Sequence, residues 1–138
     1  MYRIKYLGEL VNLGDFMETE GLSHEEILEK VKKFYAKRSK EITRERSTHF
    51  EKILKVKPKS IDIVKVDGRW GSCTSDKKIT YHHMISILPM EQIDYIVVHE
   101  LCHLYHMNHD RSFWRKVGSV LPDYRKRQGE LHQTGGEE

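Results

Sequence analysis

The sequence predicts a single α+β domain with helices at its N-terminal side, a small antiparallel sheet, a buried helix carrying His-Glu-x-x-His, and helices at its C-terminal side. Three observations lead there. The chain is 138 residues long, which suits one domain that buries roughly 68% of its unfolded surface and leaves no room for a separate cofactor domain. Its apolar pattern has a helical period, then alternates, then becomes helical again. In the stretch 93–105, everything after Asp94 apart from two histidines and a glutamate is apolar, aromatic or Cys.

Taken in order, residues 1–7 read as a short strand, Gly8 and Gly14 break the pattern after it, and 1–22 is expected to be a weakly structured segment. Ser23 and Glu26 form a capping box, and Ile27, Leu28, Val31, Phe34 and Tyr35 succeed them at helical spacing. Phe50, Ile53 and Leu54 form a second stripe before Pro58. A helix over 41–55, or a continuation of the first after a bend, is therefore expected. Ile61, Ile63 and Val66 alternate as in a strand, Asp67-Gly68 reads as a turn, 69–74 as a second strand, 75–78 as a turn and 79–87 as a third extended segment. The expectation is an antiparallel meander. Pro89 suits the first turn of a new helix. Residues 23–131 are taken as the domain and 132–138 as a disordered tail.

Charge is distributed unevenly. Residues 6–29 carry seven acids and no Lys or Arg, whereas 30–59 carry twelve Lys or Arg against three Glu. Such a basic stretch is a solvated helical face or a nucleic-acid surface. No apolar run approaches the ~18 residues of a membrane span, and the first residues lead into no signal-like apolar stretch, so a soluble, cytoplasmic protein is expected. Cys73 and Cys102 are expected as reduced thiols, Cys102 as a small apolar filler. Trp70 and Trp114 read as packing residues, and His24, His49 and His132 as surface histidines.

The chemistry lies in His99-Glu100-Leu101-Cys102-His103. On a helix, residues four apart share a face about 6 Å apart along the axis, so both imidazoles reach one ion while Glu100 projects beside its water. Burial strengthens this reading: unpaired charged groups inside a helix cost several kcal/mol each, roughly, and a metal removes that cost. Zn²⁺ asks for at least one more protein ligand and leaves a position for water. His106 lies about 10.5 Å beyond His99 on a straight helix, too far to share the ion. His109 reaches it only if the helix ends near 106–108 and the chain folds back, a role that suits Asn108 in the left-handed conformation. His109 is thus favoured as third ligand, with Asp110 and Glu130 as the other candidates. Asp110 or Ser112 would cap a following helix that carries Phe113, Trp114 and Val117 on its apolar side. The spacing of His99, His103 and His109 also occurs in metzincins, which carry glycine where this chain has His106.

The strings Arg69-Trp70-Gly71-Ser72-Cys73, Asp94-Tyr95-Ile96-Val97-Val98-His99-Glu100-Leu101-Cys102-His103-Leu104, Asn108-His109 with Phe113-Trp114, and Pro122-Asp123-Tyr124 resemble the YgjP-like metallopeptidase family, related to the SprT-like and WLM zinc peptidases. The resemblance covers residues 58–131 closely. It implies a minimal zincin-like α+β domain, one Zn²⁺ held by His99, His103 and His109, Glu100 as the catalytic residue, and the strand at 69–73 or its neighbour as a cleft wall. The chain departs from the family in a shorter N-terminal portion and in Tyr81-His82-His83, where an asparagine is usual.

The expected activity is zinc-dependent hydrolysis of peptide bonds in a peptide or protein substrate, with Glu100 as general base on a metal-activated water. Tyr81, His82, His83, Arg69 and Tyr124 are the candidates for stabilising the carbonyl oxygen. The alternative is a nucleic-acid-associated module, or a DNA-linked protease, that uses the basic 30–59 segment. In that module the zinc would be mainly structural and Cys73 would supply a fourth ligand.

Overall fold

The computed structural model describes residues 2–65 and 68–133. Met1, Val66, Asp67 and 134–138 lie outside the described residues, and with them part of the strand expected at 1–7, the end of the strand expected from Ile61 to Val66, half of the Asp67-Gly68 turn and most of the expected tail. In chain order the elements are β1 (Arg3–Tyr6), β2 (Glu9–Asn12), a short 3₁₀ turn at Leu13–Asp15, α1 (His24–Leu54), β3 (Ser60–Val64), β4 (Gly71–Cys73), β5 (Lys78–His82), a second 3₁₀ turn at Ile85–Ile87, α2 (Met90–Cys102), α3 (Arg111–Val120) and α4 (Tyr124–Gln133).

The first strand is half of a hairpin. β1 and β2 pair antiparallel across Leu7-Gly8, both at positive φ (49° and 83°), as a two-residue hairpin turn with the twist of its strands requires. Leu-Gly lacks the Asn-Gly signature of such turns. The turn is held from outside, because Leu7 and Gly8 donate their N–H groups to the carbonyls of Ser86 and Ile87, each at 2.8 Å. A Cβ on Gly8 would stand 2.7 Å from Pro89 Cγ. Gly8→Ala combines that clash with a strained backbone, and thermal or urea denaturation is expected to show a loss of about 1–3 kcal/mol.

α1 is one unbroken helix of 31 residues. Its capping box forms as expected: Ser23 Oγ accepts the Glu26 N–H and the Glu26 carboxylate accepts the Ser23 N–H, both at 3.1 Å. The buried stripe passes through Ser39, Thr43 and Ser47, which is why the apolar period fades between Tyr35 and Phe50. These hydroxyls are satisfied: Ser39 Oγ donates to the His83 carbonyl at 2.8 Å, Thr43 Oγ1 to the Ser39 carbonyl at 2.7 Å and Ser47 Oγ to Glu51 at 2.6 Å. α2 packs along α1. Arg46 clamps the two helices, its Nε and Nη2 donating to the Asp94 carboxylate at 2.6 and 3.0 Å. That partner raises the Arg46 pKa. Lys55, left-handed at φ 56°, ends α1 by donating to the Glu51 carbonyl.

The three-stranded sheet is mixed, not an antiparallel meander. Its order is β3-β5-β4, with β5 antiparallel to β4 and parallel to β3. Burial decides the order. Ile79 and Tyr81 of β5 are fully buried and belong in the centre, whereas the three-residue Gly-Ser-Cys strand β4 is short enough to serve as an edge.

α2 is packed by α1, β4, α3 and α4, so its apolar residues on every side are covered. Ile93, Tyr95, Ile96, Val97, Val98, Leu101 and Cys102 have no exposed surface. Among the described residues no helix is long and apolar enough to cross a membrane.

Candidate metal centre

The burial of α2 fixes the surroundings of His99, Glu100 and His103, which are 4%, 2% and 8% exposed. The helix ends earlier than expected, at Cys102. Its last turn tightens, with N–H groups of His103, Leu104 and Tyr105 bonded to carbonyls three residues back at 3.0–3.2 Å. Asn108 is not left-handed; the chain has already turned before it. Asp110 then caps α3, accepting the Phe113 N–H at 3.0 Å, and α3 buries Phe113 and Val117.

This reversal brings His109 to the other two histidines. The Nε2 atoms of His99 and His103 are 3.3 Å apart, and His109 Nε2 lies 3.1 Å from each. A tetrahedral ion with nitrogen ligands at 2.0–2.1 Å holds them about 3.3–3.4 Å apart, so the donor set fits a metal. His103 Nδ1 sits 3.0 Å from the His106 carbonyl. Since a carbonyl only accepts, the proton is on Nδ1 and the lone pair of Nε2 points to the shared centre. Burial, with the other two imidazoles, pushes the His99 pKa down to about 3, and burial lowers that of His103. Both are neutral donors at pH 7.

His106 contributes its carbonyl to this arrangement. Asp110 is occupied as a cap, and Glu130 is exposed on α4. The donor atoms within 4.8 Å of one another come from His99, His103 and His109, without Cys73. The Cys73 thiol is pushed up to about 11 by burial and by Glu100 and Asp76, so it is protonated. Cys102 is buried, its pKa pushed up to about 12, and acts as filler. His24, His49 and His132 are exposed.

The three histidines and Glu100 open on a cleft of about 450 Å³ whose far wall is β4. Gly71 makes the approach possible: a Cβ there would stand 3.1 Å from Glu100 Oε2 and from Ile96 Cγ2. Of the five residues considered for the carbonyl oxygen, Arg69 borders this cleft. Tyr81 is buried in the core. His82 accepts the Met84 N–H at Nδ1 (3.0 Å) and stacks on His83, while Tyr124 stacks on Trp114 at 15°. Trp70 packs edge-on against His82. Met107 and Gln128 also line the cleft, and nothing in the sequence marks them. Trp114 both packs and borders it, stacked on His109 at 5.8 Å.

Comparison with known proteins bears on this arrangement. The fold is similar to that in the crystal structure of the metallopeptidase zymogen of Pyrococcus abyssi abylysin, with a TM-score of 0.61 and 23% identity over 67% of this chain and 93% of that one. No curated protein matches the chain in sequence. The family model of the YgjP-like metallopeptidase domain matches residues 9–134. With that match spanning nearly its whole length, the chain belongs to the YgjP-like metallopeptidase family.

Proposed function

We propose that this metallopeptidase is zinc-dependent, with His99, His103 and His109 holding one Zn²⁺ and Glu100 acting as general base. The observation that carries the reading is the triangle of Nε2 atoms 3.1–3.3 Å on a side, opening on the cleft that Glu100 lines. When bound, the ion supplies a Lewis acid that polarises the scissile carbonyl and lowers the pKa of a water from about 15.7 toward 7. Glu100, on the same helix, takes the water's proton on its carboxylate and passes it to the leaving nitrogen. His99, Glu100 and His103 are buried, and the exposed His109 stands on the open side of the site. β4, as the sheet edge at the cleft, offers backbone groups along which an extended substrate lies as an added strand.

Gly71 is the residue of β4 that admits the Glu100 carboxylate. Gly71→Ala displaces that carboxylate by a few tenths of an ångström, and kcat is expected to fall by about 10–100-fold while zinc content is unchanged. Metal analysis beside steady-state kinetics checks both halves of that statement.

The competing reading, a structural zinc in a nucleic-acid module, needs a fourth protein donor, and Cys73 lies outside the donor group. Treatment with a strong chelator is expected to abolish cleavage of a quenched peptide, and one equivalent of Zn²⁺ to restore it. Cleavage unaffected by complete removal of metal would exclude the zinc mechanism.

A further inference from the structure

Beside the cleft lies a second concavity of about 420 Å³, formed by α3 and α4 and lined by Arg111, Trp114, Arg115, Gly118, Tyr124 and Arg125. Arg111, Trp114, Arg115 and Gly118 fall at the 0, +3, +4 and +7 positions of one face of α3. Glycine inside a helix costs about 1 kcal/mol relative to alanine, and the reason for it here is visible. A Cβ on Gly118 would be 3.3 Å from Tyr124 Cε1, so its absence lets the Tyr124 ring lie over α3 and stack on Trp114, 5.4 Å between centroids. The result is an aromatic floor with three guanidiniums around it.

Those guanidiniums are exposed, and none makes an ion pair among the described residues. Arg125 donates Nε to Tyr124 Oη at 3.3 Å. The acids nearby are otherwise engaged: Asp123 accepts from Arg127 at 3.0 Å and Asp110 caps α3. Among the described residues no carboxylate pairs with these guanidiniums, so the shelf sets positive charge beside an apolar surface. It is also continuous with the metal centre, since Trp114 lines both hollows and is stacked between His109 and Tyr124. Steps of 5.8 and 5.4 Å put the Tyr124 ring within about 11 Å of the His109 ring. An extended peptide rises about 3.3 Å per residue, so the shelf is about three residues from the reacting bond.

We propose that this shelf is a specificity subsite for acidic side chains of the peptide substrate, with Arg111, Arg115 and Arg125 pairing the carboxylates and the Trp114–Tyr124 stack supporting the chain. The proposal rests on the peptidase reading above. An acidic peptide is favoured over a nucleic acid because the shelf runs directly into the peptidase cleft.

The test compares two quenched peptides on the zinc-loaded full chain, one with Glu about three residues to either side of the cleaved bond and its Gln twin. The Glu peptide is expected to show a kcat/KM about tenfold higher, mainly through KM. In the Arg111→Gln/Arg115→Gln/Arg125→Gln variant the ratio of the two falls toward unity. The three side chains are solvent-exposed, so the variant keeps the fold. Equal cleavage of the twins by the wild type overturns the subsite and leaves the peptidase reading standing. Cleavage of neither twin counts against the peptidase reading, and fluorescence anisotropy of the labelled peptides then decides the shelf by itself. Tighter binding of the Glu peptide, lost in the triple variant, supports it, and equal binding overturns it. A labelled single-stranded oligonucleotide that binds the shelf in preference to the Glu peptide would overturn an acidic peptide as its occupant.

Discussion

Glu100→Gln is expected to keep one equivalent of zinc and to lower kcat for peptide cleavage by about 10³-fold, within the range typical of removing a general base. The substitution is nearly isosteric, which matters at a position 2% exposed and within van der Waals reach of Gly71. The amide fills the same space and cannot accept the water's proton. KM is expected to change little, because the proposed metal ligands and the edge strand β4 are untouched. A variant with full activity would remove Glu100 as the base. A variant that lost the metal would make it a ligand.

His99→Ala is the second large effect, and it acts on stability as well as on activity. Two imidazoles remain, too few for a stable zinc site, so the ion and peptide cleavage are both expected to be lost. For the wild type, zinc at 1,000 times its dissociation constant adds about 4 kcal/mol, on the order of 10 °C in Tm for a domain of this size. The variant is expected to show no such zinc-dependent rise. Metal-free wild type should also be acid-labile in a defined window. The His99 pKa is held at about 3 against an ordinary 6.5, so between those values the unfolded chain binds a proton that the folded chain does not. Stability therefore falls as pH drops through this window. Calorimetry of the metal-free protein at several pH values, beside His99→Ala, checks both the size and the sign.

The parts of the fold legible from the residues were those where one local rule acts alone. The Ser23–Glu26 capping box, the apolar run of α2 and the Asp110 cap each arise from residues within a few positions of one another. The hairpin at Leu7-Gly8 was not legible, because its turn is held by the distant carbonyls of Ser86 and Ile87. The parallel pairing of β3 with β5 was not legible either, since alternation marks a strand and says nothing of its neighbour. At the candidate metal centre, the placement of His99, Glu100 and His103 is set by helical spacing, and a reversal that brings in His109 is what the sequence predicts. It begins at Cys102 and not near Asn108, through a tightened last turn that leaves no residue signature. Gln128 and Met107 reach the cleft through the packing of α4 on α2 and the path of the chain after α2, which no motif encodes.

The central claim is that the three histidines hold a zinc ion at an open position. X-ray absorption at the zinc edge of the purified protein tests it most directly. The predicted spectrum has three imidazole nitrogens and one oxygen at about 2.0–2.1 Å and no sulfur. A sulfur shell near about 2.3 Å would place Cys73 on the ion, close the site, and contradict the account.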